Sequence, residues 1–146
     1  METQDYTTQI TVNTSPSKVF EAVNNVKEWW SGELTGPTQA IGDEFTYQVG
    51  EVHFSRQKIT ELIPNQKVTW LVTDSRLNFT TIPDEWTNTT ICFEIETNGS
   101  QTQITFTHKG LTPKFECYDG CSNAWQRLIH ESLFSLITTG KGVKIF

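Results

Sequence analysis

Apolar residues recur at spacings of three and four between Tyr118 and Thr139. Cys121, Trp125, Leu128, Ile129, Leu133 and Leu136, with Ser132 among them, make one broad stripe. The pattern predicts an amphipathic helix of about 20 residues, about 30 Å long. Trp125, central in that stripe, is expected to anchor the helix. Elsewhere the period falls to two. Alternation predicts strands over Tyr6–Asn13, Glu44–Val49, Val52–Leu62, Lys67–Asp74, Thr89–Glu96 and Gln101–His108. Gly50, Ile63-Pro64-Asn65 and Asn98-Gly99-Ser100 supply hairpin connections. Thr14 or Ser15 ahead of Pro16 marks a helix start, with Val19, Phe20 and Val23 on its buried side. A second short helix is expected over Val26–Trp30. The order is a strand, two short helices, a run of antiparallel strands and the long helix. It predicts an α+β fold, a single domain over residues 1–146. The long helix must lay its stripe on the sheet, an arrangement that commonly encloses a pocket.

Strand parity assigns side chains to faces. Phe45, Tyr47 and Val49 share the inner face with Val68, Trp70 and Val72, with Ile91, Phe93 and Ile95, and with Ile104, Phe106 and His108. Thr90, Glu94, Glu96, Thr105 and Thr107 suit solvent. The strand after Gly50 breaks the rule. Val52 and Phe54 have one parity; His53, Ser55, Gln57 and Ile59 have the other. Either a bulge switches the register, or one of these sets puts polar groups inside. Trp30, Phe45, Tyr47, Trp70, Phe93, Phe106 and Trp125 converge on one interior, as a filled core or as the lining of a cavity.

Composition narrows the partners. A formal charge of −6, with 11 basic and 17 acidic residues, leaves no basic cluster for nucleic acid or an anionic membrane. No run approaches the ~20 apolar residues of a membrane span. Met1-Glu2-Thr3-Gln4-Asp5 has no signal-peptide core, and an odd count of 3 cysteines suits a reducing compartment. A soluble, cytoplasmic protein is the expectation.

The usual catalytic signatures are missing: no phosphate loop, no nucleophile elbow and no zinc-binding helix. Two groupings remain. His108, Cys117, Cys121 and His130 could bring thiols beside imidazoles, for nucleophilic chemistry or a metal. The plainer reading is two small cysteines under the helix and a hydrogen-bonded histidine, and no catalytic residue, metal or cofactor is assigned. Ser75–Asn88 carries Leu77, Phe79, Ile82 and Trp86 among polar residues. A short strand through Leu77–Phe79 would shorten that gap. The stretch from Pro83 to Trp86 reads as a lid on the cavity mouth or as a packed surface loop.

These residues together resemble a known family. Ser15-Pro16-Ser17-Lys18-Val19-Phe20, Trp29-Trp30-Ser31, Ile41-Gly42-Asp43-Glu44-Phe45, Ile59-Thr60-Glu61-Leu62-Ile63-Pro64 and Val68-Thr69-Trp70 match in order. Thr107-His108-Lys109-Gly110-Leu111, Glu116-Cys117-Tyr118, Cys121-Ser122-Asn123-Ala124-Trp125, Ser132-Leu133 and Thr139-Gly140-Lys141-Gly142 follow. The chain is similar to the Aha1-like branch, homologues of the Hsp90 ATPase activator, within the Bet v 1/START-like (SRPBCC) superfamily. Ala124 departs from the glycine expected before the tryptophan, a matter of helix packing. The resemblance implies a helix-grip fold, a curved antiparallel sheet wrapped on the long last helix, with a cavity between them. The ligand contacts expected there are Trp30, Phe45, Tyr47, Trp70, Phe79, Phe93, Phe106, His108, Cys121, Trp125, Leu128, Ile129 and Ser132. The leading expectation is a non-enzymatic binder of a small apolar or amphipathic molecule. A co-chaperone-like module with a chaperone as partner comes second, and a cavity enzyme of hydrolase or cyclase type third.

Overall fold

A computed structural model describes residues 5–30, 33–51, 53–78, 84–112 and 118–143. Its strands are β1 (Tyr6–Val12), β2 (Glu33–Thr35), β3 (Glu44–Val49), β4 (His53–Ile63), β5 (Lys67–Leu77), β6 (Thr90–Asn98) and β7 (Gln101–Lys109). They form one antiparallel sheet in the order β1-β7-β6-β5-β4-β3-β2. Alternation set all six expected strands to within three residues at either end. β2 escaped it because three residues carry no period, and pairing of Leu34 with Tyr47 recruits them to the edge. Val52, Phe79 and Cys117 lie outside the described residues.

The parity conflict is settled in favour of the odd-numbered set, with two bulges in the pairing of β4 with β5. His53, Ser55, Gln57 and Ile59 face inward, with Ser55, Gln57 and Ile59 fully buried, so polar side chains do occupy the inner face. The register slips after Ile59, where Thr60 has no partner, and Leu62 is thereby turned inward opposite Val68. A second slip opposite Arg56 and Gln57 switches β5, so that Ser75 and Leu77 follow Val68, Trp70 and Val72 onto the buried face. β5 therefore runs further than alternation alone allows, through Leu77.

Helix α1 (Pro16–Asn24) starts where expected: the Ser15 hydroxyl accepts from the Lys18 N–H at 3.4 Å, and Pro16 fills the first turn. Val19, Ala22 and Val23 bury its inner side, and α2 (Val26–Trp29) adds Val26 and Trp29. The expected long helix is not uniform. It consists of α3 (Tyr118–Arg127), a π-helical turn over Leu128–Leu133, and α4 (Phe134–Thr139). Within the widened turn Leu128, Ile129, Ser132 and Leu133 are all buried. Ser132 gives the turn a polar reason. Its hydroxyl donates to the Trp29 carbonyl at 2.5 Å and accepts the Val143 N–H at 3.0 Å. Helix, α2 and the following segment are thus tied at one atom. Beyond the turn α4 has no fully buried residue, and Gly140 in the left-handed region closes it. Among the described residues no helix is long and apolar enough to cross a membrane.

The tie depends on a close approach at Gly142, where a Cβ would run into the Glu28 carbonyl oxygen. At Gly120, in α3, a Cβ meets nothing within 4 Å. Gly142→Ala should therefore lower stability by about 1–3 kcal/mol through overpacking. Gly120→Ala should raise it by about 0.5–1 kcal/mol through helix propensity. Urea midpoints moving in opposite directions would bear this out. A Gly142→Ala midpoint equal to wild type would show that the segment after Gly140 does not dock.

Candidate ligand cavity

The sheet and the last helix do not close on each other completely. A cavity of about 240 Å³ remains between them. Tyr47 and Val49 on β3 and His53 on β4 supply its sheet wall. Gly120, Cys121, Ala124, Trp125 and Leu128 supply the helix wall, all on one face of α3 and the turn that follows. Trp30 closes one side from the end of α2, and Trp86 closes another from the connection between β5 and β6.

The walls are ring faces. Trp30 stacks on Tyr47 with centroids 4.3 Å apart and planes 20° from parallel, and it lies nearly parallel to Trp70 at 5.8 Å. Trp86 stacks on Trp125 at 5.9 Å and 11°. Its ring also meets the edges of His53 at 4.7 Å and His108 at 4.8 Å.

One hydrogen-bond chain fixes the relative position of loop, sheet and helix. The Trp125 indole N–H donates to Nδ1 of His108 at 3.1 Å. His108 must then carry its proton on Nε2, which donates to Thr89 Oγ1 at 2.8 Å. The Thr89 hydroxyl in turn donates to the Trp86 carbonyl at 2.5 Å. Every donor in the chain is used once, and only a neutral imidazole satisfies it. Gly110 lets Thr89 come this close: its φ is +103°, and a Cβ there would stand 2.8 Å from the Thr89 methyl. Asn88, at φ +72°, turns the loop so that its N–H reaches the Val72 carbonyl at 2.8 Å.

Burial, helped by the nearby His53, lowers the His108 pKa to about 3. His53 reaches the cavity mouth and is only partly buried by area. Desolvation by the surrounding rings nonetheless lowers its pKa to about 4. The Tyr47 phenol is held well above its usual pKa by burial, only partly offset by the Trp30 indole beside it. A polar row runs inward from the mouth along β4. Gln57 Nε2–H donates to Ser55 Oγ at 2.5 Å, and Ser55 Oγ lies 3.2 Å from His53 Nε2.

Of the residues expected to contact a ligand, Trp30, Tyr47, Cys121, Trp125 and Leu128 line the cavity. Phe45, Trp70, Phe93, Phe106 and Ile129 are fully buried behind that lining, as is His108. Ser132 holds Trp29 instead of facing the space. Phe79 lies outside the described residues. Val49, His53, Trp86, Gly120 and Ala124 complete the lining. Two signals pointed toward them: the odd-numbered parity of β4, and a tryptophan isolated in a polar loop. The two histidines considered with the cysteines do not share a site. His130 is exposed and pairs with Thr8 at 2.6 Å, and among the described residues no three potential metal ligands converge.

A seven-stranded antiparallel sheet gripping a long last helix, with short helices near the start, is the helix-grip architecture of the SRPBCC superfamily. Within it the chain belongs to the family described as Activator of Hsp90 ATPase homolog 1-like protein, whose sequence profile matches residues 13–138. Solved structures agree. The Aha1 dimer from Colwellia psychrerythraea is 25% identical with a TM-score of 0.77, over 95% of this chain and 99% of that one. Protein SSP2350 from Staphylococcus saprophyticus is 18% identical with a TM-score of 0.66, over 96% of each chain. DynU16, from the dynemicin biosynthetic locus, is 16% identical with a TM-score of 0.64, over 95% of this chain and 49% of that one. The last two likenesses concern the fold alone. No curated protein matches the chain significantly.

The buried histidine makes stability depend on pH. A folded-state pKa of about 3 against the ordinary 6.5 means that the unfolded chain binds the extra proton first. His108 therefore costs nothing above pH 6.5 and destabilises as pH falls from there toward 3. The slope approaches about 1.4 kcal/mol per pH unit for each such histidine. Urea titrations at pH 7, 6 and 5 should show stability falling with pH, and His108→Gln should lose one histidine's share of that slope. Equal slopes in variant and wild type would refute the buried neutral state.

Proposed function

We propose that this protein binds a small, largely apolar molecule in the cavity between β3, β4, the Trp86 loop and the last helix. The lining carries the reading: four aromatic residues, Trp30, Tyr47, Trp86 and Trp125, bound one half-open space, and among the described residues no charged side chain lines it. Size constrains the ligand. An engineered cavity of about 150 Å³ takes benzene, and drug-sized molecules use about 300–1,000 Å³. A space of about 240 Å³ suits one or two fused rings. Affinity comes chiefly from apolar contact, at about 25 cal/mol per Å² buried.

Membership of the Aha1-like family favours a second reading, a module that contacts a chaperone of the Hsp90 kind. That role would need a recognition surface and no cavity. A cavity enzyme of hydrolase or cyclase type has less support, since His108 is sealed behind Trp125 and Thr89, and His53, which lines the cavity, is a weak base with its pKa lowered to about 4.

Titration with 2-isopropenylnaphthalene, a neutral two-ring probe, should quench tryptophan emission and saturate near one molecule per chain. Gly120→Leu and Ala124→Leu, which enlarge the helix wall, should weaken binding about tenfold or more while the melting temperature holds or rises. A folded protein that shows no saturable uptake would remove the cavity reading and leave the chaperone-contact reading in its place.

A further inference from the structure

The cavity has one polar handle at its mouth, His53. The handle is oriented from below by the row on β4. Gln57 is fully buried and spends an amide N–H on Ser55 Oγ at 2.5 Å, which leaves the Ser55 proton free to go outward. The atom 3.2 Å beyond it is His53 Nε2, which is placed to accept that proton. The neutral ring then keeps its proton on Nδ1. Among the described residues Nδ1 has no hydrogen-bond partner, and His53 is only partly buried where it lines the cavity. Tyr47 Oη and Trp86 Nε1 are buried without a partner among the described residues, and Trp125 Nε1 is spent on His108.

We propose that His53 is a specificity-determining residue, donating Nδ1–H to a neutral acceptor such as a ketone or aldehyde carbonyl on a flat aromatic ligand. The proposal rests on the binding function above and narrows it to a chemical class. Flatness follows from the walls, since a planar ring can extend the parallel stacks of Trp30 on Tyr47 and Trp86 on Trp125. Neutrality follows from the charges. Among the described residues no lysine or arginine lines the space, and a buried carboxylate without a cation loses several kcal/mol of solvation. Burial holds His53 itself uncharged at neutral pH, so it offers no compensating cation.

The test uses an isosteric pair at pH 7.5 with the full chain. 2-Acetonaphthone and 2-isopropenylnaphthalene share one shape and differ by C=O against C=CH₂; 2-naphthoate supplies the anion. Wild type should bind the ketone about 3- to 10-fold more tightly than the alkene, the range one net hydrogen bond gives. Naphthoate should bind at least about tenfold more weakly than the ketone. In His53→Phe the ketone preference should vanish while the alkene still binds. Imidazole ¹⁵N spectra of wild type should show the Nδ1–H tautomer of His53, with its signal moved by the ketone and not by the alkene. That reading stands even where the variant fails to fold. Equal binding of the isosteric pair, a preference that survives His53→Phe, an Nε2–H tautomer, or tightest binding of naphthoate would each overturn the proposal and leave the cavity function intact. Failure of all three molecules to bind would end both.

Discussion

The hydrogen bond from the Trp125 indole to His108 joins three parts of the molecule that local sequence cannot bring together. One partner sits on the last helix and the other on β7. The imidazole's second nitrogen reaches Thr89, which in turn holds the backbone of Trp86. Apolar contact alone would let a helix slide on a sheet, because dispersion has little direction. A buried donor with a single acceptor does not permit sliding, since displacement leaves both groups unpaired at a cost of about 1–3 kcal/mol each. The stacked rings of Trp86 and Trp125 take their spacing from this chain, and the cavity is the volume that spacing leaves over.

Much of the fold was legible because its signals are periodic. Alternation in Phe45-Thr46-Tyr47 and Ile104-Thr105-Phe106 needs only the pleat to be read, and Ser15-Pro16 announces a helix without any tertiary context. Strand β2 and the positions of the two bulges in β4 and β5 were not legible, because pairing partners create them. Thr60 leaves the ladder only when Ile59 and Glu61 have found Trp70 and Thr69. The π-helical turn hid for the same reason. Seven stripe residues at spacings of three and four fit an ordinary helix equally well until Ser132 meets the Trp29 carbonyl.

The cavity was harder to read than the core. Inward parity says that Phe93, Phe106 and Trp70 are covered, and they are. It does not say which inward residue stands in the first layer against empty space. That depends on small residues opposite, here Gly120 and Ala124, whose missing bulk makes the volume. A loop tryptophan such as Trp86 leaves still less trace, since its position is set by hydrogen bonds of Thr89 and Asn88 to distant strands.

The widened turn in the last helix has a consequence for how such a protein diverges. One added residue resets the angular phase, so the face presented by α3 does not dictate the face presented by α4. The first half shapes the interior space, and the turn itself carries the tie to α2 through Ser132. Mutation can therefore retune the contents of the cavity through positions such as Ala124 without propagating a rotation into Ser132. The helix behaves as two independently heritable modules on one continuous backbone, which lets a single scaffold drift among ligands while its closure is left alone.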